Sequence, residues 1–126
     1  MLIQQLDHLV LTVKDMPASI AFYTHILGMQ AIEFANGRKA LSFGTQKINL
    51  HPQHRELKPC AETPTPGSAD LCFIVQSPVS EMLAELQQKN IPIETGPVKR
   101  SGATGPILSI YIRDPDNNLI ELSNRI

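Results

Sequence analysis

Residues 107–122, Ile-Leu-Ser-Ile-Tyr-Ile-Arg-Asp-Pro-Asp-Asn-Asn-Leu-Ile-Glu-Leu, decide how the chain is read. Ile107 to Arg113 is rich in β-branched and aromatic residues and predicts a strand. Asp114-Pro115-Asp116-Asn117-Asn118 gathers turn formers, because proline fixes φ while Asp and Asn bond their own backbone. From Leu119 to Ser123 the strand pattern resumes. Strand side chains alternate faces, so Glu121 lies with Leu119 and Ser123 while Ile120 and Leu122 take the other side. A carboxylate in an otherwise core-like strand is costly to bury alone. Glu121 is therefore exposed, salt-bridged across strands (Arg113 is one partner) or on a metal.

Upstream of this hairpin, residues 69–75 read as a strand and Ser77-Pro78 as the start of a helix reaching about Lys89. Val79, Met82, Leu83 and Leu86 form its apolar face. A short strand is expected near residues 92–95. The first half of the chain runs through the same program. Residues 6–13 predict a strand, Asp15 an N-cap, and Pro17 the first turn of a helix to about Leu27, closed by Gly28. Short strands follow at about residues 30–34, 39–43 and 47–51, with turns at Asn36-Gly37 and Gly44-Thr45. Between the halves, residues 52–67 carry Pro52, Pro59, Pro64 and Pro66 and read as a linker. Each half is β-α-β-β-β and too small to bury much core alone. One domain over residues 1–126 is expected, with modules at about 3–51 and 68–126.

Alternation places chemistry on one face of four strands. His8, Val10 and Thr12 share a face, as do Asn49 and His51, then Asp70, Cys72 and Ile74, then Glu121 and Ser123. In each strand the opposite face is apolar. His8 pairs in the repeat with Asp70, and His51 with Glu121, on this reading. Lys99-Arg100 beside the glycine-rich residues 101–105 suits an anionic substrate, and Cys72 faces the same side as the polar residues. Arg100 and Cys72 are thus the expected substrate contacts.

The totals exclude several classes. A net charge of −1 gives no general affinity for nucleic acid or acidic membranes. No apolar run approaches the roughly 18 residues that a membrane span needs. The start, Met-Leu-Ile-Gln-Gln-Leu-Asp-His, has neither a basic n-region nor an apolar h-region, so a cytoplasmic location is expected. Two cysteines, Cys60 and Cys72, make no disulfide framework.

Asp7-His8-Leu9-Val10-Leu11-Thr12-Val13, Phe22-Tyr23 with Leu27-Gly28-Met29, and Asp114-Pro115-Asp116 with Leu119-Ile120-Glu121-Leu122 resemble the vicinal oxygen chelate superfamily. That group includes glyoxalase I, fosfomycin-resistance proteins, extradiol dioxygenases and bleomycin-resistance proteins. Ile48-Asn49-Leu50-His51 and residues 101–107 resemble its small glyoxalase-domain members. The resemblance implies an α+β fold of paired βαβββ modules, whose curved mixed sheets form a cup around a divalent metal. Its ligand positions fall on His8, His51 (or Asn49, two residues earlier), Asp70 and Glu121. Asp70 stands where glyoxalase I and the extradiol enzymes have His. Two imidazoles and two carboxylates suit Zn, Ni, Mn or Fe.

The implied function is metal-dependent chemistry on a small substrate with two adjacent oxygens. Glyoxalase I-like lyase or isomerase chemistry, with Glu121 as the catalytic base, comes first. An extradiol-type dioxygenase using His8, His51 and Glu121 is the alternative among enzymes. A metal-free ligand-sequestering protein, like the bleomycin-resistance proteins, is the alternative outside them. Open sheet edges and the family's habits add the expectation of a homodimer.

Overall fold

The pattern of two repeated modules becomes two compact units, Met1–Gly67 and Ser68–Ile126, in a computed structural model that describes residues 1–126. The first unit runs β1 (His8–Val13), α1 (Met16–Ala21), β2 (Gln30–Phe34), β3 (Arg38–Phe43) and β4 (Gln46–Pro52). The second runs β5 (Asp70–Ile74), α2 (Val79–Gln88), β6 (Thr95–Gly102), β7 (Gly105–Arg113) and β8 (Leu119–Arg125). Both sheets have one plan: orders β1-β4-β3-β2 and β5-β8-β7-β6, with the first pair parallel and the rest antiparallel. The fold is α+β, as expected.

The apolar strand faces build each core. Leu11, Val13, Leu41, Ile48 and Leu50 are buried in the first unit, as are Phe22 and Tyr23, whose rings meet edge-on at 5.2 Å. In the second, Ile110, Ile112, Ile120 and Leu122 are buried along with Val79, Met82 and Leu86 of α2. Burying such side chains contributes roughly 1.5–3 kcal/mol each, which is what fixes the facing of β1, β3, β4, β7 and β8.

Local chemistry decides the element ends. Asp15 caps α1 through its carboxylate, which accepts from Ala18 N at 3.0 Å, and Pro17 occupies the first turn. The α-helix does not reach Leu27, however. It stops at Ala21 and widens into a π-helical turn, Phe22–Ile26, before Gly28 exits at φ +71°. Thr24 Oγ1 donates to Ile20 O at 2.7 Å within that widened turn.

Two further expectations change. Ser77 does not cap α2; the N-cap is Pro78, which has no capping side chain. Asn124 of β8 does the work from 45 residues away, accepting from Val79 N at 2.8 Å and donating to Val75 O and Ser77 O. The short strand near residues 92–95 is instead the eight-residue β6, which starts at Thr95 and absorbs the basic pair and part of the glycine-rich stretch. It is an edge strand with Pro97 in it, so it lacks the apolar alternation that would have announced it. At the turn Gly102 pairs with Gly105, and a Cβ on Gly102 would lie 2.7 Å from Gly105 O, so only glycine fits there.

The turn from β7 to β8 is built as the sequence predicts. Asp114 Oδ1 accepts from Asp116 N and Asn118 N, and its Oδ2 accepts from Asn118 Nδ2. Asn118 Oδ1 then accepts from Ala69 N at 2.8 Å, fastening the turn to the start of β5. This locks the rung on which Glu121 sits.

Candidate functional site

The polar face of the first unit is read from its ladder. His8 pairs with Lys47, Val10 with Asn49 and Thr12 with His51 along the parallel β1–β4 pair. His8 is exposed, and its Nδ1 meets Asp7 Oδ2 at 2.8 Å. A carboxylate on one ring nitrogen orients an imidazole so that Nε2 is presented, the usual support for a ligating histidine. Asn49 and His51 are buried, at 5% and 4% exposure, and Asn49 Oδ1 and His51 Nε2 have no hydrogen-bond partner. Burial, followed by the charge of Arg38, holds the His51 imidazole below the usual histidine range, while Glu56 pulls the other way.

In the second unit Asp70 pairs with Leu119, Cys72 with Glu121 and Ile74 with Ser123 along β5–β8. Asp70 is exposed. Glu121 is half-buried, and its Oε2 accepts from Ser109 Oγ at 2.5 Å and Ser123 Oγ at 3.4 Å. Ser109 and Ser123 are fully buried, and their hydroxyls lie 2.7 Å apart. Arg113 is not the partner of Glu121. Its guanidinium makes a two-pronged pair with Glu94, 2.9 Å on each arm.

Cys72 is exposed as a residue, but its sulfur lies 3.5 Å from Ser123 Oγ. Burial of the sulfur raises its pKa, as does the Glu121 charge, against a lowering by Ser123. It stays a thiol at neutral pH, which suits a wall of the site and not a nucleophile. Arg100, expected beside a loop, projects from β6. Its Nε donates to Tyr111 OH at 3.0 Å, and Tyr111 pairs with Glu121 across β7–β8.

The two registers correct one assignment. Asn49 faces Val10, two residues past His8, and Glu121 faces Cys72, two residues past Asp70. The repeat therefore equates Asn49 with Glu121 and His51 with Ser123. His51 thus stands four residues along β4 from the partner of His8, roughly 13 Å at strand rise, and side chains stand off a sheet nearly perpendicular. Within neither unit do three His, Cys, Asp or Glu side chains gather. What each unit offers is a diagonal pair: His8 with Asn49, and Asp70 with Glu121. Ser109 and Tyr111 are the residues that sequence reasoning left aside. Their signal is the same alternation, since they interrupt Leu108, Ile110 and Ile112.

As donors, the first unit's pair supplies an imidazole and an amide oxygen, and the second unit's pair two carboxylates. Carboxylate and amide oxygens are donors of the kind that harder divalent ions such as Mn(II) take. In the first unit Asn49 Oδ1 is without a partner and the His8 ring is held by Asp7; in the second the Glu121 carboxylate is anchored by Ser109.

A family model described as the Glyoxalase/Bleomycin resistance protein/Dioxygenase superfamily matches residues 5–122. The chain is 56% identical over 126 residues to Virulence protein STM3117 of Salmonella typhimurium, spanning 100% of this chain and 88% of the relative. It is 56% identical over 122 residues to Glyoxalase domain-containing protein RDO1 of Mycosarcoma maydis, spanning 97% of this chain and 69% of the relative. The crystal structure of STM3117 superposes with a TM-score of 0.99, covering both chains fully. Two less similar structures share the fold. Lactoylglutathione lyase from Agrobacterium tumefaciens has a TM-score of 0.72 at 22% identity, covering 95% of this chain and 92% of that one. A mutant of FosX, the fosfomycin resistance protein from Listeria monocytogenes, was solved with Mn(II) and a dihydroxypropylphosphonic acid. It has a TM-score of 0.68 at 24% identity, over 99% of this chain and 93% of that one.

Proposed function

The chain belongs to the Glyoxalase/Bleomycin resistance protein/Dioxygenase superfamily, and from that premise we propose that it is a divalent-metal-dependent enzyme acting on a small molecule with two adjacent oxygens. His8, Asn49, Asp70 and Glu121 are the proposed donors. When bound, a divalent ion would polarise both substrate oxygens and stabilise an enolate.

Glu121 carries the reaction on this reading, as the base for a glyoxalase I-like proton transfer. The observation behind it is the 2.5 Å bond from Ser109 Oγ to Glu121 Oε2, which fixes one carboxylate oxygen and leaves Oε1 to act. Oε1 takes the proton from the carbon beside the carbonyl and returns it to the neighbouring carbon, so the net change is an isomerisation. Tyr111 and Arg100 stand beside it, where the Arg100 cation favours an anionic substrate group. Cys72 completes the wall. The dioxygenase reading comes second because His8 and His51 are separated along the β1–β4 ladder.

A homodimer is part of the proposal. β1 and β5 are terminal strands of their sheets, and Val10 and Ile74 on them are 44% and 49% exposed, apolar groups that a second copy would cover. No helix is long and apolar enough to cross a membrane. The test is metal content of protein purified without added metal, then turnover of a panel of α-hydroxycarbonyl and thiol-adduct substrates. Protein that binds ligands from the panel without metal or turnover would instead be a sequestering protein.

A further inference from the structure

Row by row, the polar face of the first unit holds more positive charge than its metal donors explain. Lys39 pairs with Leu50, so the β3–β4 ladder, continued one residue, sets Arg38 across from His51. Phe34 pairs with Arg38 on the other side. Two cations share the Phe34 ring: Lys47 Nζ lies 3.9 Å from its centroid and the Arg38 guanidinium carbon 4.9 Å. Neither takes part in an ion pair, although Lys39, their neighbour on the opposite face, is neutralised by Glu33 at 2.6 Å. The ring faces attract both cations and hold them together despite their mutual repulsion. Across the ladder from Arg38, His51 is 4% exposed and keeps Nε2 without a partner; Arg38 and Glu56 are the charges that act on it. Buried polar atoms are almost always satisfied, so an orphan across from Arg38, whose guanidinium shares the Phe34 ring with Lys47, marks a place for a ligand atom.

We propose that Arg38, Lys47 and His51 form an anion subsite, which takes the carboxylate or phosphonate-type group of the substrate. Arg38 supplies a planar, two-pronged donor, Lys47 a point charge, and His51 a neutral Nε2–H that donates one hydrogen bond. Asn49 sits two residues before His51 on the same face, roughly 7 Å away at strand rise. The substrate is thus a small acid, with its paired oxygens toward Asn49 and its anionic group one rung further along β4. Its orientation rests on the proposed metal site; the anion subsite itself does not.

The test titrates inorganic phosphate and methylphosphonate into the full chain, with and without added Mn(II). The His51 ring proton, assigned by its loss in His51→Gln, is followed by NMR. A saturable shift without metal, with both probes, is expected. Arg38→Gln should weaken binding by about tenfold or more, since a hydrogen bond to a charged group is lost. Lys47→Met serves as the second variant should Arg38→Gln fail to fold. No saturable shift, or Arg38→Gln and Lys47→Met binding like the parent, would overturn the subsite. Anion binding that persists in protein with no affinity for Mn(II) supports the subsite and removes only the metal reading.

Discussion

Ser109 Oγ and Glu121 Oε2, on adjacent strands β7 and β8, lie 2.5 Å apart, with a fully buried hydroxyl donating to a half-buried carboxylate. That bond turns an expensive residue into a placed one. Without it the carboxylate would keep only the longer bond from Ser123 Oγ, at 3.4 Å.

Ser109→Ala should leave Glu121 with the longer Ser123 bond alone. The fold should lose about 1–2 kcal/mol, the worth of a hydrogen bond to a half-buried charged group, and turnover should fall mainly in kcat. Ser109→Thr, which keeps the hydroxyl, should recover most of both. Glu121→Gln should keep the fold and abolish turnover, because an amide keeps the shape but neither takes the proton nor brings a carboxylate's charge to the metal. Full activity in that variant would remove Glu121 from the mechanism.

His51 makes stability depend on pH. Its folded pKa is lowered, first by burial and then by Arg38, so the unfolded chain binds the proton more readily. Stability from this group is fully present above its ordinary value near 6.5 and is lost as pH falls below that. In phosphate-free buffer, denaturant midpoints at pH 7.5 and 5.5 should differ more for the parent chain than for His51→Gln. Parallel pH profiles would contradict the account.

Asn124→Ala should destabilise the second unit by about 1–3 kcal/mol. It removes the acceptor for Val79 N at the start of α2 and the donor to Val75 O and Ser77 O. Thermal melting reads this directly, and an unchanged melting temperature would show that solvent replaces all three bonds.

Light scattering at micromolar concentration should report about 28 kDa, two copies of the 13.9 kDa chain. Substituting Lys for Val10 or Ile74, on the exposed terminal strands, should shift the protein toward monomer. A parent chain that is already monomeric would rule out the second copy as cover for these strands.

Much of the fold is legible before any coordinates. The β-α-β-β-β repeat follows from period-2 and period-3.6 patterning, and the faces of His8, Asp70, Cys72 and Glu121 from alternation alone. Asp15, Pro17 and Gly28 mark the ends of the first helical segment correctly. What alternation cannot supply is the rung. It says which side of a sheet a residue occupies, while the partner across the ladder depends on turn geometry and pairing. That is why alternation matches His51 with Glu121 when the ladder matches Asn49, though both face the same way. β6 escapes such a reading because an edge strand with Gly96, Pro97 and a basic pair has no apolar face. The π-helical turn and the Asn124 cap are tertiary effects, set by groups distant along the chain or by packing of Phe22 and Tyr23.

The most direct test of the central claim is calorimetric titration of Mn(II) into metal-free protein, comparing the parent with His8→Gln, Glu121→Gln and His51→Gln. The account predicts one ion per chain for the parent and His51→Gln, with His8→Gln and Glu121→Gln weakened by about tenfold or more, as for lost ligands. A parent chain that binds no Mn(II), or a His51→Gln variant as impaired as Glu121→Gln, would contradict it.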